Sequence, residues 1–230
     1  MTTFGLVHGA YHGAWCWSLL APELTALGHH CVTVDLPCES PTAGAAQYAA
    51  AAVDAFADVD DDLVVVGHSL AGLTIPLIAE ARPVSRLVFL CAMLPRPGRA
   101  QNDVLADEPD MVLPGPEGGA FQGTAGETRW RPGAAASWFF ADCPADVASW
   151  AADQLRGQFW TINQEISPLD AWPAVPTSYV LGKDDPVINP QWSRRITQRV
   201  LGVDPIELDA GHSPFLSTPA ALARALANWT

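Results

Sequence analysis

The chain has 230 residues, 49% hydrophobic and 16% charged, a balance that fits one large folded domain, or one domain with an insertion, and not a disordered chain. With 25 acidic against 12 basic side chains the formal net charge is −13, a sign that argues against nucleic acid and anionic membranes as partners. The five cysteines, Cys16, Cys31, Cys38, Cys91 and Cys143, are odd in number and form no C-x-x-C pair, so they read as reduced, structural thiols. The start "MTTFGLVHG" lacks the basic residues and apolar run of a signal peptide, and no window approaches a span of about 20 apolar residues. A soluble cytoplasmic protein is expected.

In chain order, an apolar strand at residues 4–7 is followed by a helix over 15–27, which Gly28 should close. A strand at 31–36, a helix over 45–57, a strand at 63–66, a helix over 70–82 and a strand at 86–91 continue the alternation. It resumes with a strand at 177–181, a helix over 191–200, a strand at 205–208 and a helix over 219–229. Runs such as "LVVV" and "LVFL" are apolar on both faces, as strands of a parallel sheet covered on both sides must be. The pattern predicts an α/β fold: a doubly wound, mostly parallel sheet of about six strands with helices on both faces.

Between residues 93 and 175 the rhythm breaks. This stretch opens rich in Pro and Gly, carries several tryptophans, and shows one clear helical segment at 145–155 and no convincing strand. It is too long for an ordinary connection. Residues 1–94 and 176–230 are therefore read as the core, and residues 95–175 as an inserted cap over one end of the sheet.

The stretch "LVVVGHSLAGL" sets Ser69 between a strand and a helix, with Gly67 two residues before it and Ala71 two after. A serine on such a sharp turn needs small residues at those positions and projects its hydroxyl at the sheet's end. A hydroxyl is a poor nucleophile until a base takes its proton. Of the six histidines, His29 and His30 follow a helix stop, and His68 adjoins Ser69 on a tight turn where neighbouring side chains diverge. His212, in "LDAGHSPFLSTP", follows the last strand, where sites of open α/β sheets gather. "YVLGKDDPVINP" supplies a carboxylate at another strand end. Asp184 and Asp185 both qualify, and Asp185, directly before Pro186, is preferred. The chain order Ser69, Asp185, His212 is that of the nucleophile–acid–base series in one class of serine hydrolases.

An oxyanion needs backbone donors: the N–H of Leu70, after the nucleophile, and one from the loop after the first strand. That loop reads "VHGAYHGAW". Gly9 would let the backbone approach the substrate and Ala10 would offer its N–H, while His12 would brace the loop or line the site. A metal held by His8 and His12 is disfavoured, since Gly9 and Gly13 oppose the helix their spacing requires. Trp130, Trp138, Phe139, Phe140, Trp150, Phe159 and Trp160 make the cap aromatic, so an apolar pocket is expected, with Trp138 and Trp160 among its walls. Arg129, Arg131 and Arg156 are candidate anchors for a single carboxylate.

"HGAYHGAWCW", "ALGHHCVTVDLP", "VVVGHSLAGL", "GKDDPV" and "AGHSPFLSTP" together resemble the α/β-hydrolase superfamily, in particular its small methylesterase and hydroxynitrile lyase branch and bacterial esterase counterparts. The resemblance implies Ser69, Asp185 and His212 as a triad, Ala10 and Leu70 as oxyanion donors, and no cofactor. Lyases of that branch carry a threonine after the first loop histidine and a lysine after the catalytic histidine, where this chain has Gly9 and Ser213. The resemblance therefore implies a serine hydrolase of small, apolar carboxylic esters. A hydroxynitrile lyase, cleavage of another bond type, or a ligand receptor on a hydrolase fold are the alternatives.

Overall fold

The computed structural model describes residues 1–60 and 62–229. Strand β1 (Thr2–Val7) leads through a 3-10 turn, Ala14–Trp17, into helix α1 (Leu20–Ala26). The helix expected over 15–27 is therefore two pieces, with Pro22 in the first turn of the second, where a missing N–H costs nothing. Gly28 adopts φ +87 and ends α1 as expected. Strand β2 (His30–Val34), helix α2 (Ala45–Ala55) and strand β3 (Asp62–His68) follow. The helix expected over 70–82 is also divided. A 3-10 turn, Ser69–Leu73, precedes helix α3 (Ile75–Ala81), whose first turn holds Pro76. Ser69 thus opens a single tight turn, not a long α-helix.

After β4 (Arg86–Leu90) come α4 (Gln101–Asp107), a hairpin of β5 (Ala120–Gln122) and β6 (Thr128–Trp130), then α5 (Pro132–Phe139), α6 (Ala145–Asp153) and the one-turn α7 (Thr161–Gln164). The antiparallel hairpin corrects the expectation of a strandless segment. Strand β7 (Thr177–Gly182), helix α8 (Pro190–Ile196), a wider π-type turn, Thr197–Leu201, strand β8 (Ile206–Leu208), α9 (Pro214–Ser217) and α10 (Pro219–Ala227) complete the chain. Among the described residues, no helix is long and apolar enough to cross a membrane.

Six strands form one sheet in the order β2-β1-β3-β4-β7-β8, and every pairing is parallel. The chain moves one way from β1 to β2 and the other way from β2 to β3 and from β3 to β4. Right-handed crossovers then place α1 on one face and α2 and α3 on the other. Packing agrees: α1 lies against α10, and α2 against α3. β3 and β4 are buried almost throughout, while the edge strands β2 and β8 are half-exposed, so the core sits about the four central strands. The register Val7↔Gly67 brings the end of β1 beside the end of β3, at the point where the strand order reverses. A crevice forms there in open α/β sheets.

Candidate active site

Three strand-end loops meet at that crevice. Among the described non-glycine residues, Tyr11 (φ +66), Ser69 (φ +53) and Cys91 (φ +46) alone have left-handed backbone, and they follow β1, β3 and β4 respectively. Strained backbone of this kind persists only where surrounding packing enforces it. At Ser69 the strain turns the hydroxyl toward His212, with Oγ 3.1 Å from Nε2. His212 Nδ1 lies 2.9 Å from Asp185 Oδ2, and all three residues are buried. Asp185 Oδ1 accepts the N–H groups of Val187 (2.8 Å) and Ile188 (3.0 Å). That carboxylate can only accept, so Nδ1 of His212 carries the proton and Nε2 is left with a lone pair facing the serine hydroxyl. Asp184, the other candidate, is exposed, and its N–H goes to the Ala210 carbonyl at 3.1 Å. His68 is not a base for Ser69. Its Nε2 lies 3.0 Å from the carbonyl oxygen of His212, which braces that loop from below.

The two histidines of "HGAYHGA" each hold one carbonyl of the loop after β1. Leu36 N–H donates to His8 Nε2 (2.9 Å), so the His8 proton sits on Nδ1 and is donated to Gly9 O at 2.8 Å. A trans peptide sets its N–H opposite its C=O, so gripping Gly9 O from one side turns the Ala10 N–H to the other. His12 Nδ1 donates to Ala10 O at 2.7 Å, and its ring stacks on Trp15. Gly9 faces the serine turn and is not among the residues lining the cavity beside it. A Cβ at this position would lie 2.8 Å from both His68 Nδ1 and Ser69 Cβ, so its absence is what lets the loop press against the serine turn.

Burial lowers the pKa of His8 to about 4 and that of His12 to about 3. Both rings are therefore neutral near pH 7 in the folded chain, whereas in the unfolded chain they take up protons below about 6.5. The unfolded state then binds more protons as pH falls, so this stability is complete above pH 6.5 and is lost on the way down to pH 4 and 3. Urea-unfolding free energy is expected to drop between pH 6.5 and 4 by about 1.4 kcal/mol per pH unit for each ring. A His12→Gln chain should show a slope shallower by one proton. Equal slopes in the two chains would contradict the assignment.

A cavity of about 230 Å³ opens beside these groups. Ser69, His212, Ala10, Leu70 and His12 line it together with Trp138 and Trp160, and among the described residues no Lys, Arg, Asp or Glu lines it. The indole N–H of Trp138 donates to Pro186 O at 2.9 Å and that of Trp160 to Thr128 Oγ1 at 2.9 Å, so both rings are fixed walls. Tyr11, Met93, Val112, Val187 and Ile188 are walls that sequence reasoning missed. Val187 and Ile188 lie two and three residues after the candidate acid, and that nearness in sequence is the available signal. Of the expected cap rings, Trp130 and Phe139 also line the cavity, Phe140 packs against His12 and Trp15, and Trp150 is half-exposed against Trp15. The three arginines do not reach the cavity. Arg156 pairs with Asp35 and Glu39, Arg129 with Glu127 and Glu39, and Arg131 lies over the Phe121 ring. Cys91, Asp185 and His212 bring ligand-type atoms within 4.8 Å of one another. The Asp185 and His212 atoms are committed to each other, and burial pushes the Cys91 thiol well up, so it stays protonated and suits packing, not ligation.

Residues 6–225 match the model of the alpha/beta hydrolase family. The chain is 27% identical to a pyrethroid hydrolase of Sphingobium wenxiniae over 250 aligned positions, covering 100% of this chain and 88% of that protein. It is 28% identical to an alpha-hydroxynitrile lyase of Arabidopsis thaliana, covering 95% of this chain and 93% of that one. The crystal structure of polyneuridine aldehyde esterase superposes with a TM-score of 0.81 at 23% identity, over 99% of this chain and 98% of the other. With the strand order, the serine turn and a family match spanning nearly its whole length, this chain belongs to the alpha/beta hydrolase family.

Proposed function

We propose that the chain is a serine hydrolase of neutral, largely apolar carboxylic esters. The observation that carries this reading is the continuous hydrogen-bonded path from Ser69 Oγ through the His212 ring to Asp185, opening into a cavity that no described Lys, Arg, Asp or Glu lines. His212 Nε2 takes the Ser69 proton as Oγ attacks the ester carbonyl carbon. The Ala10 and Leu70 amides receive the oxyanion, and Asp185 stabilises the imidazolium. His212 then gives that proton to the departing alkoxide, leaving an acyl-serine and free alcohol. A water, deprotonated by the same nitrogen, attacks the acyl carbon and releases the acid. The pyrethroid hydrolase relative supports hydrolysis as the reaction type. Against lyase chemistry, Ser213 is buried and does not line the cavity, and among the described residues no Lys or Arg lines it to stabilise a departing cyanide.

The apolar cavity gives a selectivity that can be measured. Among nitrophenyl esters, butyrate and benzoate are expected to exceed a carboxylate-bearing hemisuccinate in kcat/KM by about tenfold or more, because the charged acyl group would lose its hydration without a partner. Turnover no greater than that of Ser69→Ala across the panel would refute the hydrolase reading. A preference for the hemisuccinate would refute the neutral substrate class.

A further inference from the structure

The segment between β4 and β7 touches each catalytic loop. Arg156 N–H donates to Tyr11 O at 2.6 Å behind the oxyanion loop, and Trp138 Nε1–H donates to Pro186 O beside Asp185. The third contact is of another kind. Asp142, between α5 and α6, is itself exposed, yet its Oδ2 accepts the buried N–H of Gly211 at 2.6 Å, one residue before His212. On the other side of His212, its carbonyl oxygen receives His68 Nε2–H at 3.0 Å. The backbone on either side of the base is thus held from two directions, from the β4–β7 segment by a carboxylate and from the sheet by an imidazole. Position 211 is shaped for the contact, since a Cβ there would lie 2.6 Å from Asp142 Oδ1 and force the carboxylate away.

We propose that Asp142 is a positioning residue for His212: it touches neither substrate nor Ser69, and it fixes the backbone from which the base reaches the serine. The proposal rests on the hydrolase reading above. A charge-assisted bond to a buried amide is stronger and shorter than a neutral one, and proton transfer from serine depends steeply on the Nε2–Oγ geometry. A cap that carries this carboxylate is part of the catalytic framework as well as a wall for substrate.

The full-length chain carrying Asp142→Ala, Asp142→Asn or Asp142→Glu tests this with a short-chain nitrophenyl ester. Asp142→Ala is expected to lower kcat about 10- to 100-fold with KM changed less than about threefold. Asp142→Asn keeps an acceptor oxygen at the same place and should stay within about threefold of the parent. Asp142→Glu keeps the charge but moves it by one methylene, and should lose kcat. Amide exchange at Gly211, read by NMR, should be slow in the parent and Asp142→Asn and fast in Asp142→Ala. That readout needs no turnover, so an inactive parent would sink the hydrolase reading while leaving the clamp measurable. An unchanged kcat in Asp142→Ala, a loss in which KM rises as much as kcat falls, or unaltered Gly211 exchange would each overturn the proposal. A loss of kcat in Asp142→Asn equal to that in Asp142→Ala would do the same.

Discussion

Asp185→Asn is expected to lower kcat about 10⁴-fold while the chain stays folded. The reason lies in what the two carboxylate oxygens do. Oδ1 accepts two backbone N–H groups, from Val187 and Ile188, and Oδ2 faces His212 Nδ1. An asparagine must place its oxygen where the two N–H groups point, since its NH₂ would meet them donor to donor. The NH₂ then faces His212 Nδ1, which must accept and therefore lose its proton. The proton moves to Nε2 and points at Ser69 Oγ, so the ring can no longer take the serine proton. Packing is conserved, so the thermal midpoint should change little. A residual kcat above about a tenth of the parent value would contradict this reading of the acid.

Gly72→Ala is expected to destabilise the fold by about 3 kcal/mol, enough to cut soluble yield. A Cβ at Gly72 would run into the Met93 carbonyl oxygen, with the Met93 carbonyl carbon 3.0 Å and Ala92 Cβ 3.1 Å away. The neighbours are chiefly backbone, which cannot rotate aside. Met93 N–H in turn donates to Ser69 O at 3.1 Å, so the exit of β4 lies directly on the serine turn. Ala71→Gly at the adjoining position should cost only about 1 kcal/mol, the penalty of a glycine in a helical turn. Urea unfolding of both variants measures the contrast. Equal stability of Gly72→Ala and the parent would mean that β4 and the turn can separate.

The sequence places small residues at Gly67 and Ala71, with Gly72 just beyond; close contacts meet both glycines, the Ile75 side chain at Gly67 (2.6 Å to a Cβ there) and the Met93 carbonyl at Gly72. The periodicity of "LVVV" and "LVFL" was enough to predict a parallel sheet, because a strand buried on both faces has no polar alternation to hide. Ser69, Asp185 and His212 were legible for a related reason: each lies just past a strand end, where a short apolar run stops and a turn begins. The helix breaks were less visible. Pro22 and Pro76 lie inside apolar periods that continue across them, and each marks the first turn of a new helix, not the interior of a long one. The hairpin Ala120–Gln122 with Thr128–Trp130 was hidden because three-residue strands, exposed or half-exposed, carry no alternation long enough to read. Two long-range contacts lie beyond sequence reasoning altogether: Asp142 meets Gly211 across 69 positions, and Gln158 Oε1 meets Tyr11 N–H across 147, pairings that exist only once the segment between β4 and β7 has folded onto the rest of the chain. The close approach at Gly9 is hidden in the same way, because the surface it abuts, His68 and Ser69, is supplied by a strand distant in sequence.

As a nucleophile activated by His212, Ser69 should react with a fluorophosphonate, which forms a stable phosphonyl ester with an activated serine and releases fluoride. Intact-mass analysis and peptide mapping are expected to show one adduct per chain, mapped to Ser69, with loss of ester turnover in proportion to labelling and with slow labelling in His212→Ala. No adduct, an adduct on another residue, or labelling of Ser69 that proceeds as fast without His212 would contradict that role.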